Sequence, residues 1–315
     1  MERWKHTHLL GIRHLAREDI EYLLKKAGAF RDFLECSPRF REDLRGYLLV
    51  NLFFEPSTRT RTSFEIAGKL LGMQVTNVNL EVSSLRKGES FRDTIRTLGR
   101  LKPDALVIRH PQSGAPEYLA RFAPFHIINA GDGLREHPTQ ALLDLLALRR
   151  QFHRLEGLKV AIVGDVLHSR VARSLTMGLQ KLGSRVIVSG PPTLVPREVE
   201  VLGAQRVFPL EKALQDVDVV YLLRIQRERQ EAGYFPSLKE YAAFFGLNTV
   251  FWEQVRSRAV IMHPGPVNRG VEVAYDLVEG ERSLIEEQVT CGLAVRMAVL
   301  ETLIREGEKP WCGES

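Results

Sequence analysis

Short apolar runs rich in β-branched residues alternate with helix-like segments along almost the whole chain. This alternation is typical of α/β folds, in which helices cover both faces of a mainly parallel sheet. The sequence therefore predicts an α/β protein built from doubly wound domains, each with a mainly parallel sheet. Strands are expected at Tyr47–Phe54, Gln74–Leu80, Asp104–Arg109, His126–Asn129, Lys159–Val163, Arg185–Ser189, Val217–Leu223 and Val260–His263.

The length of the chain suggests two domains. A typical domain has roughly 150 residues, and this chain has 315. A predicted helix at 137–152 is followed by Gly157, where a new strand pattern begins, so we expect a first domain at 1–152 and a second at 153–283. A last amphipathic helix, 284–306, is expected to pack back on the first domain.

Composition and charge narrow the class of protein only partly. Hydrophobic residues make up 44% and charged residues 26% of the chain, which is typical of globular proteins. The net charge of +5 suits small anionic substrates as well as nucleic acid. Cysteines that form no CxxC pair fit a reducing compartment, and residues 1–15 mix charged with apolar side chains, unlike a signal peptide. Because no apolar run is long enough to span a bilayer, we expect a soluble cytoplasmic protein that does not bind membranes.

Motifs for cofactors, metals and covalent catalysis are missing. Val163–His168 supplies one glycine where a dinucleotide-binding turn needs three, and the Walker pattern is absent. The sequence contains no HExxH motif and no His/Asp cluster at metal-ligand spacing. It also contains no GxSxG motif. We therefore expect an enzyme without a cofactor or a metal, if it is an enzyme.

A possible phosphate site follows the first predicted strand. The strand leads through Pro56 into Ser57-Thr58-Arg59-Thr60-Arg61, where an amphipathic helix begins. This helix is expected at Thr58–Leu71, and Gly72 is expected to end it. Ser57 is a good N-cap residue, and the positive end of a helix dipole presents N–H groups to an anion. Hydroxyl and guanidinium groups at such a helix start can hold a phosphate without a glycine-rich loop. The alternative is an ordinary capped helix with two solvated arginines.

Polar residues also follow later strands. Arg109-His110-Pro111 ends one strand, and His137-Pro138-Thr139-Gln140 begins the helix after the next. Ligands of open α/β sheets bind outside the carboxyl ends of the strands. An arginine and a histidine there could polarise a carbonyl oxygen.

The second half of the chain repeats this arrangement. Arg170 and Arg224 follow predicted strands, and guanidinium groups bind carboxylates in bidentate fashion, so the pair could recognise a dicarboxylate. Either arginine could instead form a structural ion pair. The carbonyl oxygens of the His263–Pro266 turn could accept hydrogen bonds from a substrate amine or amide. Arg92, Arg96 and Arg100 form a helical stripe that suits a solvated face better than a nucleic-acid site, and we assign it no chemistry.

These residues together resemble the aspartate/ornithine carbamoyltransferase family. The matching segments lie in the family's order over most of the chain. They are Phe54-Glu-Pro-Ser-Thr-Arg-Thr-Arg61, Lys87-Gly-Glu89, Arg109-His-Pro-Gln112, Asn129-Ala-Gly-Asp-Gly133, His137-Pro-Thr-Gln-Ala-Leu-Leu-Asp144, Gly164-Asp165 with Arg170, Arg224-Ile-Gln-Arg-Glu-Arg229 and His263-Pro-Gly-Pro266.

The resemblance implies a carbamoyl-phosphate domain, then an aspartate domain, with the active site between them, and carbamoyl transfer from carbamoyl phosphate to the amine of L-aspartate. It implies that Lys87 reaches the site from a neighbouring subunit, that Gln140 binds the carbamoyl amide, and that backbone carbonyls of Pro264 and Gly265 bind the carbamoyl nitrogen. The implied phosphate ligands are Ser57, Thr58, Arg59, Thr60 and Arg109. The implied catalytic residues are Arg59, Thr60, Arg109 and His137. The implied aspartate ligands are Lys87, Arg170, Arg224 and Gln226.

Two alternatives and the assembly stay open at this point. The ornithine branch typically has His-Cys-Leu-Pro and Ser-Met-Gly stretches, where this chain has His263-Pro-Gly-Pro266 and Arg224-Ile-Gln226. A protein of another class, a non-catalytic anion- or nucleic-acid-binding protein, could use the same basic residues. The resemblance implies a homotrimer with shared active sites. Regulatory or dihydroorotase chains are possible further partners, whereas nucleic acid is not expected to be one.

Overall fold

The computed structural model describes residues 4–36, 40–78, 91–225, 237–255 and 257–310. The chain forms two compact units. Unit 1 comprises Met1–Leu146 with Thr290–Ser315, and unit 2 comprises Ala147–Val289. Strands and helices alternate in both, which confirms the predicted α/β class. No helix among these residues has the length and apolar character needed to cross a membrane.

The described part of unit 1 is built on a parallel four-stranded sheet in the order β2-β1-β3-β4. Apolar side chains of β1, β3 and β4, including Leu52, Leu106 and Ile127, form its core with residues of the flanking helices. The elements are α1 Arg17–Phe33, β1 Leu48–Phe53, α2 Thr58–Leu70, β2 Gln74–Val78, α3 Phe91–Arg100, β3 Ala105–His110, α4 Ala115–Ala120, β4 His126–Asp132 and α5 Pro138–Phe152.

The described part of unit 2 contains a parallel five-stranded sheet in the order β7-β6-β5-β8-β9. Its core includes Val163, Leu222 and Ile261 from three neighbouring strands. The elements are β5 Lys159–Val163, α6 Arg170–Lys181, β6 Arg185–Ser189, β7 Gln205–Arg206, α7 Leu210–Ala213, β8 Val219–Leu222, α8 Leu238–Phe244, α9 Thr249–Glu253, β9 Val260–Met262 and α10 Tyr275–Val278. The last helix, α11 Ile285–Glu306, begins in unit 2 and continues into unit 1 at Thr290.

Some strands begin or end at other residues than the sequence predicts, because hydrogen bonds between distant segments set their bounds. The strands expected to start at Asp104 and Val217 begin one and two residues later, at Ala105 and Val219. The strand expected at His126–Asn129 continues to Asp132, because a register shift in β3 lets His110 pair with Asp132. The two-residue β7 is too short to leave a sequence pattern.

An aspartate joins the amino ends of neighbouring strands in each sheet. Asp104 Oδ2 accepts a 2.7 Å hydrogen bond from the Leu48 N–H at the start of β1. Asp218 Oδ2 accepts a 3.0 Å bond from the Lys159 N–H at the start of β5. These side chains set the register of the central strands at the end of the sheet opposite to the predicted site residues.

The part of α11 from Thr290 onward belongs to unit 1 and packs against its helices. Lys26 Nζ of α1 lies 2.8 Å from Glu301 Oε2 and 2.6 Å from Glu306 Oε1. The Arg296 guanidinium lies over the Phe64 ring of α2, 5.3 Å from its centroid. Residues distant in sequence therefore complete the helical layer of unit 1.

Candidate functional site

The strand order of unit 1 places its phosphate-site candidates together. From β1 the chain passes outward to β2 on one side, and β3 and β4 lie on the other, so the topology switches between β1 and β3. Ligands of open α/β sheets bind outside the carboxyl ends of the strands at such a point. The segment 57–60 follows β1, and Arg109 lies at the carboxyl end of β3.

Arg109 is held by two side chains of the loop after β1. Its Nε donates to Glu55 Oε2 at 3.0 Å, and its Nη1 donates to Ser57 Oγ at 3.2 Å. The side chains of Arg109 and Glu55 are each 17% exposed, so their charges interact with little solvent screening. The guanidinium is therefore oriented before any ligand arrives, with part of its surface still accessible. Glu55 is not among the residues predicted from the sequence, although it lies within the same motif.

The start of α2 differs in one respect from the expectation. Ser57 is at the N-cap position, but its side chain makes no capping hydrogen bond and instead accepts from Arg109. Thr60 is buried, whereas Thr58 and Arg59 are exposed. The helix stops as predicted, since Gly72 follows it with φ +83°. The start of α2 thus places the Ser57 hydroxyl against Arg109, and Thr58, Arg59 and Thr60 follow in its first turn.

A hydrogen-bonded turn leads from β4 to α5. Asp132 Oδ1 accepts from Asn129 Nδ2 at 2.8 Å, and its Oδ2 accepts from the Gly114 N–H at 2.6 Å. Gly133 has φ +45°, and a Cβ there would lie 2.3 Å from Ser113 Oγ, so only glycine fits. This turn fixes the position of His137, which precedes α5 and is 4% exposed.

Gln140 is oriented by a buried carboxylate one helical turn further along α5. Its Nε2 donates to Asp144 Oδ1 at 3.0 Å, and Asp144 is fully buried. Arg296 of α11 interacts electrostatically with Asp144, and burial lowers the pKa of this arginine to about 10. An arginine with that pKa stays protonated at neutral pH, so it balances the Asp144 charge. Asp144 and Arg296 were not predicted from the sequence, because their relation depends on α11 returning to unit 1.

His110, next to Arg109, does not add to the positive charge here. Its Nδ1 accepts a 3.0 Å hydrogen bond from the Gln112 N–H, and its ring packs against Phe54 and Phe91. Burial is the main cause that lowers its pKa. The ring is therefore neutral at physiological pH and acts as part of the turn.

Unit 2 has the same kind of switch point between β5 and β8. The chain passes from β5 outward to β6 and β7, and then returns to the other side at β8 and β9. Arg170 begins α6 after β5 and is 4% exposed, and Arg224 follows β8 and is partly exposed. The strand order therefore brings the two predicted carboxylate ligands to neighbouring strand ends.

The loop between β5 and α6 is closely packed. Asp165 Oδ1 lies 2.8 Å from His168 Nδ1 and accepts a 3.2 Å hydrogen bond from the His168 N–H. Ser169 caps α6 by accepting from the Ala172 N–H at 3.0 Å. Gly164 has φ +124°, and a Cβ there would lie 2.9 Å from the Tyr241 hydroxyl. These contacts fix the backbone that leads to Arg170.

The remaining predicted residues divide into two groups. Pro264 and Gly265 follow β9, the neighbour of β8, and are partly exposed. Lys87 and Gln226 lie outside the described residues. Within unit 1, Ser57 and Arg109 are in direct contact, and within unit 2 the predicted residues come from three adjacent strands.

Comparison with known proteins assigns a family to both halves of the chain. Residues 7–150 match the family model described as aspartate/ornithine carbamoyltransferase, carbamoyl-P binding domain. Residues 156–303 match the model described as aspartate/ornithine carbamoyltransferase, Asp/Orn binding domain.

Similar proteins cover almost the full length. The aspartate carbamoyltransferase catalytic subunit of Methylorubrum populi is 51% identical over 95% of both chains. That of Moorella thermoacetica is 48% identical over 96% of this chain and 98% of its own.

Solved structures are also similar to this chain. Aspartate transcarbamoylase from Trypanosoma cruzi, in complex with N-(phosphonacetyl)-L-aspartic acid, has a TM-score of 0.87 and 32% identity, covering 95% of this chain and 96% of its own. Ornithine carbamoyltransferase from Thermus thermophilus has a TM-score of 0.83 and 29% identity, covering 95% of this chain and 99% of its own. The matched models, the identity and the strand-end residues agree, and the chain belongs to the aspartate/ornithine carbamoyltransferase family.

Proposed function

We propose that this protein is an aspartate carbamoyltransferase, which transfers the carbamoyl group of carbamoyl phosphate to the amine of L-aspartate and so serves pyrimidine biosynthesis. The observation that carries the proposal is the set of cations at the switch points of the two sheets, the oriented Arg109 in unit 1 and Arg170 with Arg224 in unit 2. Relatives about half identical to this chain carry that name. One similar structure is in complex with carbamoyl phosphate and aspartate.

In this proposal unit 1 binds carbamoyl phosphate. The phosphate is held by the first turn of α2 and by Arg109, because helix N-termini and guanidinium groups both favour phosphate oxygens. Gln140 binds the carbamoyl amide, and Asp144 fixes its orientation. Backbone carbonyls of Pro264 and Gly265 complete the binding of the carbamoyl nitrogen. The phosphate ligands proposed are Ser57, Thr58, Arg59, Thr60 and Arg109, with Lys87 supplied by a neighbouring subunit.

Unit 2 then selects the acceptor amino acid. Arg170 and Arg224 bind the two carboxylates of aspartate, with Gln226 and Lys87 as further ligands. Their positive charge disfavours ornithine, whose side chain is a cation, and like-charge contacts are an effective means of rejecting a substrate.

The chemical step follows from these roles. The neutral amine of aspartate attacks the carbonyl carbon, and negative charge develops on the carbonyl oxygen. Arg109, Thr60 and His137 stabilise that oxygen, and Arg59 stabilises the phosphate. One such donor is typically worth about 3–4 kcal/mol. The bond from carbon to the phosphate oxygen then breaks, and the departing phosphate takes the proton that the amine loses. The products are N-carbamoyl-aspartate and phosphate.

A direct assay decides between the two branches of the family. Carbamoyl phosphate is supplied with aspartate in one reaction and with ornithine in another, and phosphate release and the carbamoylated product are both measured. We expect product with aspartate only. Product with ornithine alone would assign the chain to the other branch. Salt-dependent oligonucleotide binding without any product would instead support an anion-binding protein.

We propose further that the active unit is a cytoplasmic homotrimer with shared active sites. The family resemblance at Lys87-Gly-Glu89 supports the sharing, and the reduced thiols of Cys36 and Cys291 suit a reducing compartment. Mixing Lys87→Ala subunits with Arg109→Ala subunits tests the sharing. If each site combines Arg109 of one subunit with Lys87 of the next, random trimers regain about a quarter of wild-type activity. Two inactive parents that stay inactive after mixing would refute it.

A further inference from the structure

A buried carboxylate in unit 2, Glu272, connects the turns that follow β8 and β9. Its Oε1 accepts from the Ile225 N–H at 2.7 Å and from Asn268 Nδ2 at 2.6 Å. Its Oε2 accepts from the Asn268 N–H at 2.8 Å and from His263 Nε2 at 3.1 Å. The residue is 1% exposed. An ionised carboxylate has about four acceptor positions, so this one is fully used by donors from three chain segments.

The ring of His263 extends this connection to the next peptide. The Gly265 N–H donates to His263 Nδ1 at 2.8 Å. Because Nδ1 accepts, the neutral ring carries its proton on Nε2 and donates it to Glu272. The His263 N–H in turn donates to Gln288 Oε1 at 3.0 Å. Glu272 therefore holds the turn after β9 both directly, at Asn268, and through the imidazole of His263.

The two turns connected in this way are those that carry proposed substrate ligands. Ile225, whose N–H Glu272 accepts, directly follows Arg224. Gly265, whose N–H the His263 ring accepts, supplies one of the proposed carbonyl ligands. The two strands are neighbours, with Tyr221 of β8 opposite Met262 of β9. Glu272 thus sets the separation of the two ligand-bearing turns, which lie beyond the last paired residues of β8 and β9.

We propose that Glu272 is a positioning residue for aspartate recognition, acting through the backbone of Ile225, which follows Arg224, and through the His263 ring that accepts the Gly265 N–H. This rests on the proposed function, since it assigns Glu272 to the same site. Glu272 itself does not touch the substrate. A preorganised site needs supporting hydrogen bonds that hold its ligands within a fraction of an ångström, and the four bonds of Glu272 provide them.

Glu272→Gln is the variant that tests the role, because it keeps the size of the side chain and removes its charge. The amide has one acceptor oxygen, so at least one pair of the four donors loses its acceptor. Asp218→Asn is the matched control. Asp218 is also buried in unit 2 and accepts from the Lys159 N–H at 3.0 Å and from Arg258 Nη2 at 2.9 Å, but it lies at the amino ends of the strands.

Three measurements distinguish a positioning role of Glu272 from a general contribution to stability. We expect Glu272→Gln to raise the KM for aspartate by about tenfold or more, the size of effect that follows from losing a hydrogen bond to a charged group. Binding of inorganic phosphate, a unit 1 property, should stay within about twofold. Amide hydrogen exchange at Ile225, Gly265 and Asn268 should become faster, and Asp218→Asn should change neither this exchange nor the aspartate KM.

The opposite results are equally informative. An aspartate KM in Glu272→Gln equal to that of Asp218→Asn, with both variants only less stable to heat, would overturn the positioning role. Unchanged hydrogen exchange at the three amides would show that Glu272 does not hold the two turns together, whatever the activity of the variant. If the wild-type protein makes no product from aspartate, the proposed function fails, and the exchange data still decide whether Glu272 holds the two turns together.

Discussion

Arg109 illustrates how one side chain is prepared for its role before a ligand binds. Glu55 and Ser57, both from the loop after β1, receive two of its N–H groups. Removing the Glu55 carboxylate would take away one of these two hydrogen bonds and loosen the orientation of the guanidinium. The loop after β1 therefore contributes to the site both directly and by orienting a residue on β3.

The first prediction concerns this arginine. Arg109→Ala should lower kcat/KM for carbamoyl phosphate by about a hundredfold or more, as is typical when a donor to a developing oxyanion is lost. Steady-state kinetics with aspartate at saturation measures it. Arg100→Ala, in the exposed stripe of α3, is the control and should leave the rate unchanged. Equal losses in both variants would mean that the protein uses a diffuse basic surface.

A second prediction at this scale concerns the pH dependence of stability. His8 Nδ1 accepts a 3.0 Å hydrogen bond from the Ile127 N–H, so it holds the segment before Leu9 beside β4. Burial, assisted by the nearby His126, lowers the pKa of His8 from 6.5 to about 4. The unfolded chain therefore takes up a proton below pH 6.5 that the folded chain does not, and stability is lost as the pH falls from 6.5 towards 4.

The test is a comparison of wild type with His8→Asn, whose side-chain oxygen can accept the same hydrogen bond without titrating. Denaturant unfolding at pH 7.5 and pH 4.5 gives the two stabilities. The loss on acidification should be smaller in the variant by on the order of 2 kcal/mol. Equal losses in the two proteins would show that His8 is protonated as easily in the folded state as in the unfolded state.

Each sheet has an aspartate whose side chain binds the backbone at the amino ends of its central strands. Asp104 receives the Leu48 N–H through its side chain, donates its own N–H to the Leu48 carbonyl and accepts from the His126 N–H through its backbone. It therefore sets the starting register of β1, β3 and β4 together. Unit 2 repeats the arrangement with Asp218 at β5, β8 and β9.

This arrangement predicts a stability effect without a kinetic one. Asp104→Ala should destabilise the protein by about 1–3 kcal/mol, because the Leu48 N–H loses its acceptor in a partly buried position. Thermal unfolding measures the effect. The KM values for both substrates should remain those of the wild type, since the opposite edge of the sheet carries the proposed ligands. A changed KM would mean that the register of the strands affects the substrate site.

Over the whole molecule, the chain enters unit 2 through α5 and returns to unit 1 through α11. Unit 1 therefore contains two separate stretches of sequence, and the second stretch supplies Arg296, Glu301 and other buried residues to its core. The first 146 residues lack these contacts on their own. Unit 1 is in this sense completed by the end of the chain.

A truncation tests that dependence. A protein ending at Val289 should fail to bind inorganic phosphate, because its unit 1 loses the ion pairs of Lys26 and the contact of Arg296 with Phe64. A protein ending at Glu306 keeps these contacts and should bind phosphate as the full chain does. Calorimetric titration compares the two. Phosphate binding by the shorter protein would show that the first 146 residues fold without α11.

The α/β class, most of the strands and the family can be predicted from the sequence, because strand and helix patterns depend on local apolar periodicity and the motifs on local residue order. The strand order that places Arg109 beside Ser57 depends on the tertiary structure, because these residues are far apart in sequence. The partners of Glu272 and Asp104 depend on it for the same reason. Carboxylates in such roles leave no local pattern, since their acceptor oxygens are satisfied by donors that packing alone brings within reach.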